Sequence, residues 1–456
     1  MVRLEEGRGG ASFAWADRPG RALVRLAGPI TVSMVSFSAM TLVSTAFVAQ
    51  VGPEELAGVG LGGVVGFALI CFGVGLLRGA KTLVSQAIGA GRRDRIPGLI
   101  GAAIALALVL GLAAVVVGEL IAPLLVGLSA SARAGGFAAQ YLAIRVAGAP
   151  LVLLFAALRE ARYGGGDSRS PMRASVAGNA VNLVLDAVLI LGLGLGVRGA
   201  AIATIAGNLT ELVLLAWPMR AQLAAARPTR AAVGAVWAQG VPNGVQFVME
   251  VGSFLILTVL VARMSATDGA AHQMVLHLVN VSFLPAHALA EAAAVLVGQA
   301  VGGGQDALVP RVARRAFVIG ASYAAVCLVG YAVLGGAIVR AMSSHDAALA
   351  ARATTLLHVA LVFLVADAAN VIARGVLRGA GDVRYAAVIG IATSWLSTPP
   401  LTWLLGVCAG LGAAGGWIGL AVEIIVGASL YWLRVVRGGW RPAAAAARRT
   451  MVGAAV

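Results

Sequence analysis

What most limits the fold of this chain is the recurrence, from Ala22 to Val436, of apolar stretches of about 20 residues or more, each long enough as a helix to cross a ~30 Å hydrocarbon layer. Of its 456 residues 60% are hydrophobic and 12% charged, too few polar groups to hydrate the surface of a soluble domain. Lipid is therefore the expected solvent. The 60 glycines allow such helices to approach closely. About twelve spans fit between residues 22 and 436.

The formal net charge of +15 could point to nucleic acid, but the basic residues are parcelled out between apolar stretches instead of gathered in one soluble domain. They read as topology signals, with no nucleic-acid partner. Taking both termini as cytoplasmic, the inner segments hold Arg3, Arg8, Arg18, Arg21 and Arg25, then Arg92, Arg93 and Arg95, then Arg159, Arg162, Arg169 and Arg173, then Arg220, Arg227 and Arg230. In the second half they hold Arg311, Arg314, Arg315, Arg374, Arg378, Arg384, Arg434, Arg437, Arg441, Arg448 and Arg449. The outer segments hold Arg133, Arg198, Arg263, Arg340 and Arg352, so the positive-inside rule fixes the orientation in a bacterial-type inner membrane. Glu5 and Glu6 precede any apolar run and no cleavage site follows, so the first span is expected to be retained.

Laid on itself at an offset of 213, the chain aligns Pro29 with Pro242, Gln86 with Gln299, Gly89 with Gly302, Gly91 with Gly304 and Pro97 with Pro310. The clearest block sets SQAIGAGRRDRIP (Ser85 to Pro97) against GQAVGGGQDALVP (Gly298 to Pro310). Farther along, GGGD (Gly164 to Asp167) meets GAGD (Gly379 to Asp382) at 215. Such coincidences mark a duplication. Six spans per copy is an even number, so both copies enter the membrane in the same direction, related by an axis along the membrane normal, with a substrate cavity expected between them. The expected organisation is a cytoplasmic segment 1–21, a six-helix bundle 22–219, a linker 220–234 flanked by Pro218 and Pro228, a second bundle 235–436 and a cytoplasmic tail 437–456.

Two six-span halves, the paired Q..GAG-like ends and VLRGAGD (Val376 to Asp382) together resemble the multidrug and toxic compound extrusion (MATE) transporters over roughly residues 22–436. The resemblance implies an all-α polytopic membrane protein of about twelve transmembrane helices in two pseudo-twofold-related six-helix bundles. It also implies alternating access and export of a solute against entry of H+ or Na+, with no cofactor.

Ionisable groups deep in a span are costly and are functional candidates. In the first half Asn182 and Asp186 are four apart on one helical face, and the chain returns through Gly196 to bring Thr204 to similar depth. By resemblance these three reproduce a polar cluster of archaeal-type MATE proteins. The departure is Ser44, eight residues before Gly52, where that pattern carries an aspartate; a serine cannot exchange a proton, which leaves Asp186 alone. In the second half Glu250 lies about 12 Å along its helix from Pro242, and Asp367 about 16 Å from Arg378. Both match the cation-coupling acids of NorM-type MATE proteins and are expected to approach each other near mid-membrane. A hydrogen-bonding role is the alternative for both sets.

Arg78 and Lys81, the one lysine in the chain, sit within the second span and either snorkel or line the cavity. Residue 78 plus 213 is 291, and Glu291 carries the opposite charge, which suggests a gate pair. Fixed positive charge would favour an anionic or zwitterionic substrate over an organic cation.

Other signals are weaker. Gly58, Gly60 and Gly63 fit GxGxxG formally, but within a span they read as helix packing. Cys71, Cys327 and Cys408 stand singly, and His272, His277, His287, His345 and His358 form no i, i+4 pair, so neither a disulfide, a metal site nor a catalytic centre is expected. Asp167 and Asp382 are expected to cap helices; Glu211 and Glu423 are secondary intramembrane candidates. The function expected is secondary active efflux of an amphipathic organic small molecule by a monomer in the bilayer. The alternative is a lipid-linked precursor flippase of the same superfamily, which would need a portal to lipid. A membrane enzyme would need a nucleophile or a His and acid constellation, and none is evident.

Overall fold

The structure is a computed structural model and describes residues 4–5, 12–129, 131–343 and 346–453; Arg3, Glu6, Arg8 and His345 lie outside these. Its long helices are α1 (Pro19–Ala49), α2 (Pro53–Gly89), α3 (Ile96–Ile121), α4 (Ala132–Val146), α5 (Ala149–Gly164), α6 (Arg169–Asp186) and α7 (Gly196–Ala216). There follow α8 (Arg230–Met264), α9 (Ala266–Gly302), α10 (Leu308–Met342), α11 (Ala347–Gly379), α12 (Val383–Leu401), α13 (Ala413–Val436) and α14 (Arg441–Gly453). Among the described residues ten helices are long and apolar enough to cross a membrane, and the bent pair α4 and α5 makes an eleventh. α12, prolonged by the π-helical turns Thr402–Cys408, is the eleventh span in chain order and completes twelve; Thr393, Ser394, Ser397 and Thr398 lie along it. The paired two-residue strands Leu4–Glu5 and Ser12–Phe13 are the departure from an all-α chain among the described residues.

The fourth span is broken. α4 and α5 meet at 49° across Ala147 and Gly148. Pro150 follows at once, where its missing N–H costs nothing at a helix start. Gly111 of α3 packs on Pro150 so closely that an added Cβ would lie 2.6 Å from its Cα.

By contacts the chain falls into two compact units. The first comprises Pro29–Val84 and Arg92–Gly244. Within it α6 packs on α7, and α3 on α5. Of the glycines in the formal GxGxxG, Gly58 touches α4, with an added Cβ 2.5 Å from Phe137 Cβ, while Gly60 and Gly63 face open space. The packing face is instead Gly58 with Gly62, four residues apart, as helix geometry requires.

The second unit takes the segment up to Gly28, Ser85–Gly91 and Val245 onward. Its central helix is α11, which packs on α9, α10 and α13. Gly375 and Gly379 lie four apart on α11 and meet the carbonyl oxygens of Ala290 and Ala294 on α9, leaving no room for a Cβ at either. The tail, read from sequence only as a cytoplasmic segment, holds helix α14, which docks on this unit through Arg448, paired with Asp306 (Nη2 to Oδ2 3.2 Å), and through fully buried Ala444.

Spans five and eleven both end in π-helical turns, Ala187–Gly192 and Thr402–Cys408, each followed by glycines with positive φ, Gly194 and Gly196 or Gly410 and Gly412. The duplication thus reaches local backbone geometry. In the first unit the π turn begins directly after Asp186 and widens the helix at that acid.

Candidate functional site

In the first unit α1, α6 and α7 bring together all four residues singled out from the sequence. Ser44 donates a hydrogen bond to Asp186 Oδ2 and lies 3.1 Å from Asn182 Oδ1, while Asn182 Nδ2 reaches Thr204 Oγ1 at 3.5 Å. Thr204 in turn donates to the Ala200 carbonyl at 2.8 Å. Asn182 and Asp186 are buried, 2% and 1% exposed, and Gly207 admits the Asn182 side chain because it has no Cβ. One turn away Asn179 Nδ2 donates to Ser36 Oγ at 2.9 Å, extending the polar seam along α1.

A second polar group in this unit was not legible as such. Lys81 is buried, 3% exposed, and its Nζ lies 3.2 Å from Glu160 Oε2. Arg159 Nη2 contacts the other Glu160 oxygen at 3.2 Å, and both Arg78 and Lys81 act on Glu160 electrostatically. The Lys81 charge is therefore balanced inside its own unit, where the sequence had suggested a fixed charge presented to substrate. Removing one partner of so buried a pair costs about 3–5 kcal/mol, so these charges stand or fall together. Glu160 was overlooked because, between Arg159 and Arg162, it looks like part of a solvated helix end.

In the second unit Glu250 on α8 accepts from Arg374 Nη1 at 2.6 Å and from Gln246 Nε2 at 2.7 Å, both at Oε1. Gln246 Oε1 is held by Arg378 Nη2 at 3.0 Å. Gly390 on α12 makes this possible, since a Cβ there would overlap Gln246 and lie 2.8 Å from Glu250 Oε1. Asp367 lies seven residues before Arg374 on α11, about two turns away on the same face, and Glu423 on α13 accepts from Thr398. Glu250, Asp367, Glu423 and Tyr431 all act on Arg374 electrostatically. Arg374 corrects the sequence reading, which counted it as a cytoplasmic loop charge. Its repeat partner at 215, Arg159, also pairs with an acid inside its own unit, and that coincidence was the available signal.

Glu291 on α9 lies 3.6 Å from His287 one turn earlier. Arg78 belongs to the first unit and Glu291 to the second. Asp167 Oδ1 caps α6 by accepting from the N–H groups of Arg169 and Ser170 at 3.1 and 3.0 Å. Asp382 does not cap: its carboxylate pairs with Arg434 Nε at 2.9 Å. His272 accepts from Trp417 Nε1 at Nδ1 (3.0 Å), which places its proton on Nε2, 3.2 Å from Thr258 Oγ1; this is a neutral packing histidine.

The MatE family model matches residues 29–188 and 242–404. A probable multidrug resistance protein NorM of Pseudomonas syringae pv. tomato is 30% identical over 423 residues, covering 89% of this chain and 92% of that one. The corresponding Pseudomonas aeruginosa protein is 32% identical over 428 residues, covering 88% and 86%. Two solved structures share the fold. One is a MOP superfamily transporter from Pyrococcus furiosus, described by a reverse polarity of its binding pocket (TM-score 0.86, 22% identity, 96% of this chain and 99% of that one). The other is the eukaryotic MATE transporter AtDTX14 (TM-score 0.85, 20% identity, 96% and 100%).

Proposed function

Because the chain belongs to the MatE family of multidrug and toxic compound extrusion transporters, we propose that it exports amphipathic organic small molecules, coupled by alternating access to the entry of H+ or Na+. It works as a monomer in a bacterial inner membrane with both termini in the cytoplasm, and needs no cofactor. The observation that carries this reading is the ion pair of Glu250 with Arg374, whose charge Asp367 and Glu423 also act on, within membrane-spanning helices, where ionisable side chains are costly unless they serve transport. The names of the bacterial relatives favour drug efflux over flipping of a lipid-linked precursor. Arg78 and Glu291 stay proposed gate partners on the strength of the repeat alone. Reconstituted into proteoliposomes, the protein is expected to move a fluorescent amphipathic dye when a pH or Na+ gradient is imposed. Dye movement that is indifferent to both gradients would end this reading.

The Ser44, Asn182, Asp186 and Thr204 cluster is assigned a lesser part in coupling, since it holds a single acid. Ser44→Asp would set a second carboxyl at hydrogen-bonding distance from Asp186, and two such acids cannot both ionise. The variant is expected to displace the pH profile of efflux by about one unit or more, the size of shift that close charges produce. An unchanged profile would mark the cluster as structural.

A further inference from the structure

We propose that Arg374 is a tethered counter-cation standing where a metal ion would otherwise bind among Glu250, Asp367 and Glu423, so that the acid site of the second unit exchanges protons and not Na+. The proposal rests on the coupling role given above to these acids.

Three observations carry it. First, Glu250 Oε1 already accepts from two donors, Arg374 Nη1 at 2.6 Å and Gln246 Nε2 at 2.7 Å. A carboxylate oxygen has two lone pairs, so none is left at Oε1 for a cation, and a hard cation must collect several oxygen ligands at once. Second, the arrangement is fixed from one helix: Arg374 grips Glu250 directly, and Arg378, one turn on, grips it through Gln246 at 3.0 Å. Gly390 leaves the room in which these side chains meet. Third, Glu250, Asp367 and Glu423 all act on the Arg374 charge, yet among the described residues no three His, Cys, Asp or Glu side chains could together hold a metal ion.

Three acids against the guanidiniums of Arg374 and Arg378 still leave an excess of negative charge that a mobile cation must balance. A Na+ ion would have to settle beside a fixed positive charge. A proton needs only one oxygen and no ligand shell. The neighbouring groups do not alter this balance: α9 brings His287 and Glu291, 3.6 Å from each other, and α12 brings Arg384 and Tyr385, the latter beneath Arg434. α10 carries exposed Arg311, Arg314 and Arg315 near its start, and α13 adds Tyr431, which donates to the Ala386 carbonyl at 2.9 Å. The repeat makes the device particular to this unit. Arg159 is the counterpart of Arg374 at the 215 offset, but the counterpart of Glu250 at the 213 offset is Phe37.

The test measures binding of radioactive sodium to purified protein in an Asp186→Asn background, which silences the acid of the first unit. The parent is expected to bind no saturable Na+, whereas adding Arg374→Gln should raise retained sodium by about tenfold or more, and adding Arg374→Lys should leave it at the parent level. Saturable binding by the parent overturns the proposal, as does a folded Arg374→Gln protein that binds none. If Arg374→Gln does not fold, the parent and Arg374→Lys still decide, because Na+ binding in either refutes a tethered cation and its absence in both upholds it. Failure of the underlying reading would look different: Glu250→Gln would then transport normally, whatever the sodium result.

Discussion

Neutralising Glu250 or Asp367, as Glu250→Gln or Asp367→Asn, is expected to lower gradient-driven efflux by about tenfold or more, equivalent to roughly 1.4 kcal/mol in the rate-limiting step. Both acids stand in membrane-spanning helices and share the field of Arg374. An amide at position 250 can still accept a hydrogen bond from Arg374, but it cannot take up or release a proton. The two variants should differ in stability. Breaking a fully buried ion pair costs about 3–5 kcal/mol, and the Glu250 and Arg374 side chains are 25% and 16% exposed, so the penalty for Glu250→Gln should fall below that range. Asp367 makes no such close pair, and its amide variant should unfold near the wild-type temperature. Exchange of substrate between equal concentrations, with no ion gradient, separates the two explanations. A coupling defect leaves exchange largely intact, whereas a misfolded protein loses exchange as well. Two variants that both pump at the wild-type rate would remove these acids from the mechanism.

The repeat and the spans were readable because membrane helices advertise themselves by length and apolarity, and because Gln86, Gly89 and Gly91 recur as Gln299, Gly302 and Gly304. The acids were readable for the same reason, since a lone carboxylate in an apolar run has few uses. Their partners were not. Arg374 and Arg159 lie close enough to basic helix ends to be counted with them; only folding turns Arg374 toward Glu250 of another helix, while Arg159 pairs with its own neighbour Glu160. Lys81 shows the reverse: its position in an apolar span was plain, but Glu160, which neutralises it, comes from a helix far away in sequence. The bend between α4 and α5 was masked because the apolar pattern runs on through Gly148 and Pro150. Hydropathy measures where a chain can sit, and pairing depends on which face of each helix meets which neighbour.

Gly302→Val is expected to be among the most disruptive single changes in the second unit, with Gly89→Val close behind. The two glycines are repeat equivalents, and their contacts are reciprocal: a Cβ on Gly89 would overlap the carbonyl oxygen of Gln299, and a Cβ on Gly302 would overlap that of Gln86. The glutamines that align at the same offset therefore supply the surfaces on which the aligned glycines rest, which gives the repeated Q..G spacing a steric reason. The neighbouring atoms are backbone and cannot swing aside as a flexible side chain could. Further ties hold the segment in place, with Trp15 Nε1 donating to Gln299 Oε1 at 2.9 Å and Gln86 Nε2 donating to the Gly379 carbonyl at 3.1 Å. Overpacking of a tight contact costs about 1–3 kcal/mol and more where backbone must move. Gly60→Ala is the matched control: Gly60 is exposed on α2 with nothing within 4 Å of the added Cβ, so alanine there should be neutral or stabilising by about 0.5–1 kcal/mol through helix propensity. Thermal unfolding of the detergent-purified variants measures all three. Should Gly302→Val unfold at the same temperature as Gly60→Ala, the close approach of these two helix ends would carry no energetic weight, and the repeated motif would need a reason other than packing.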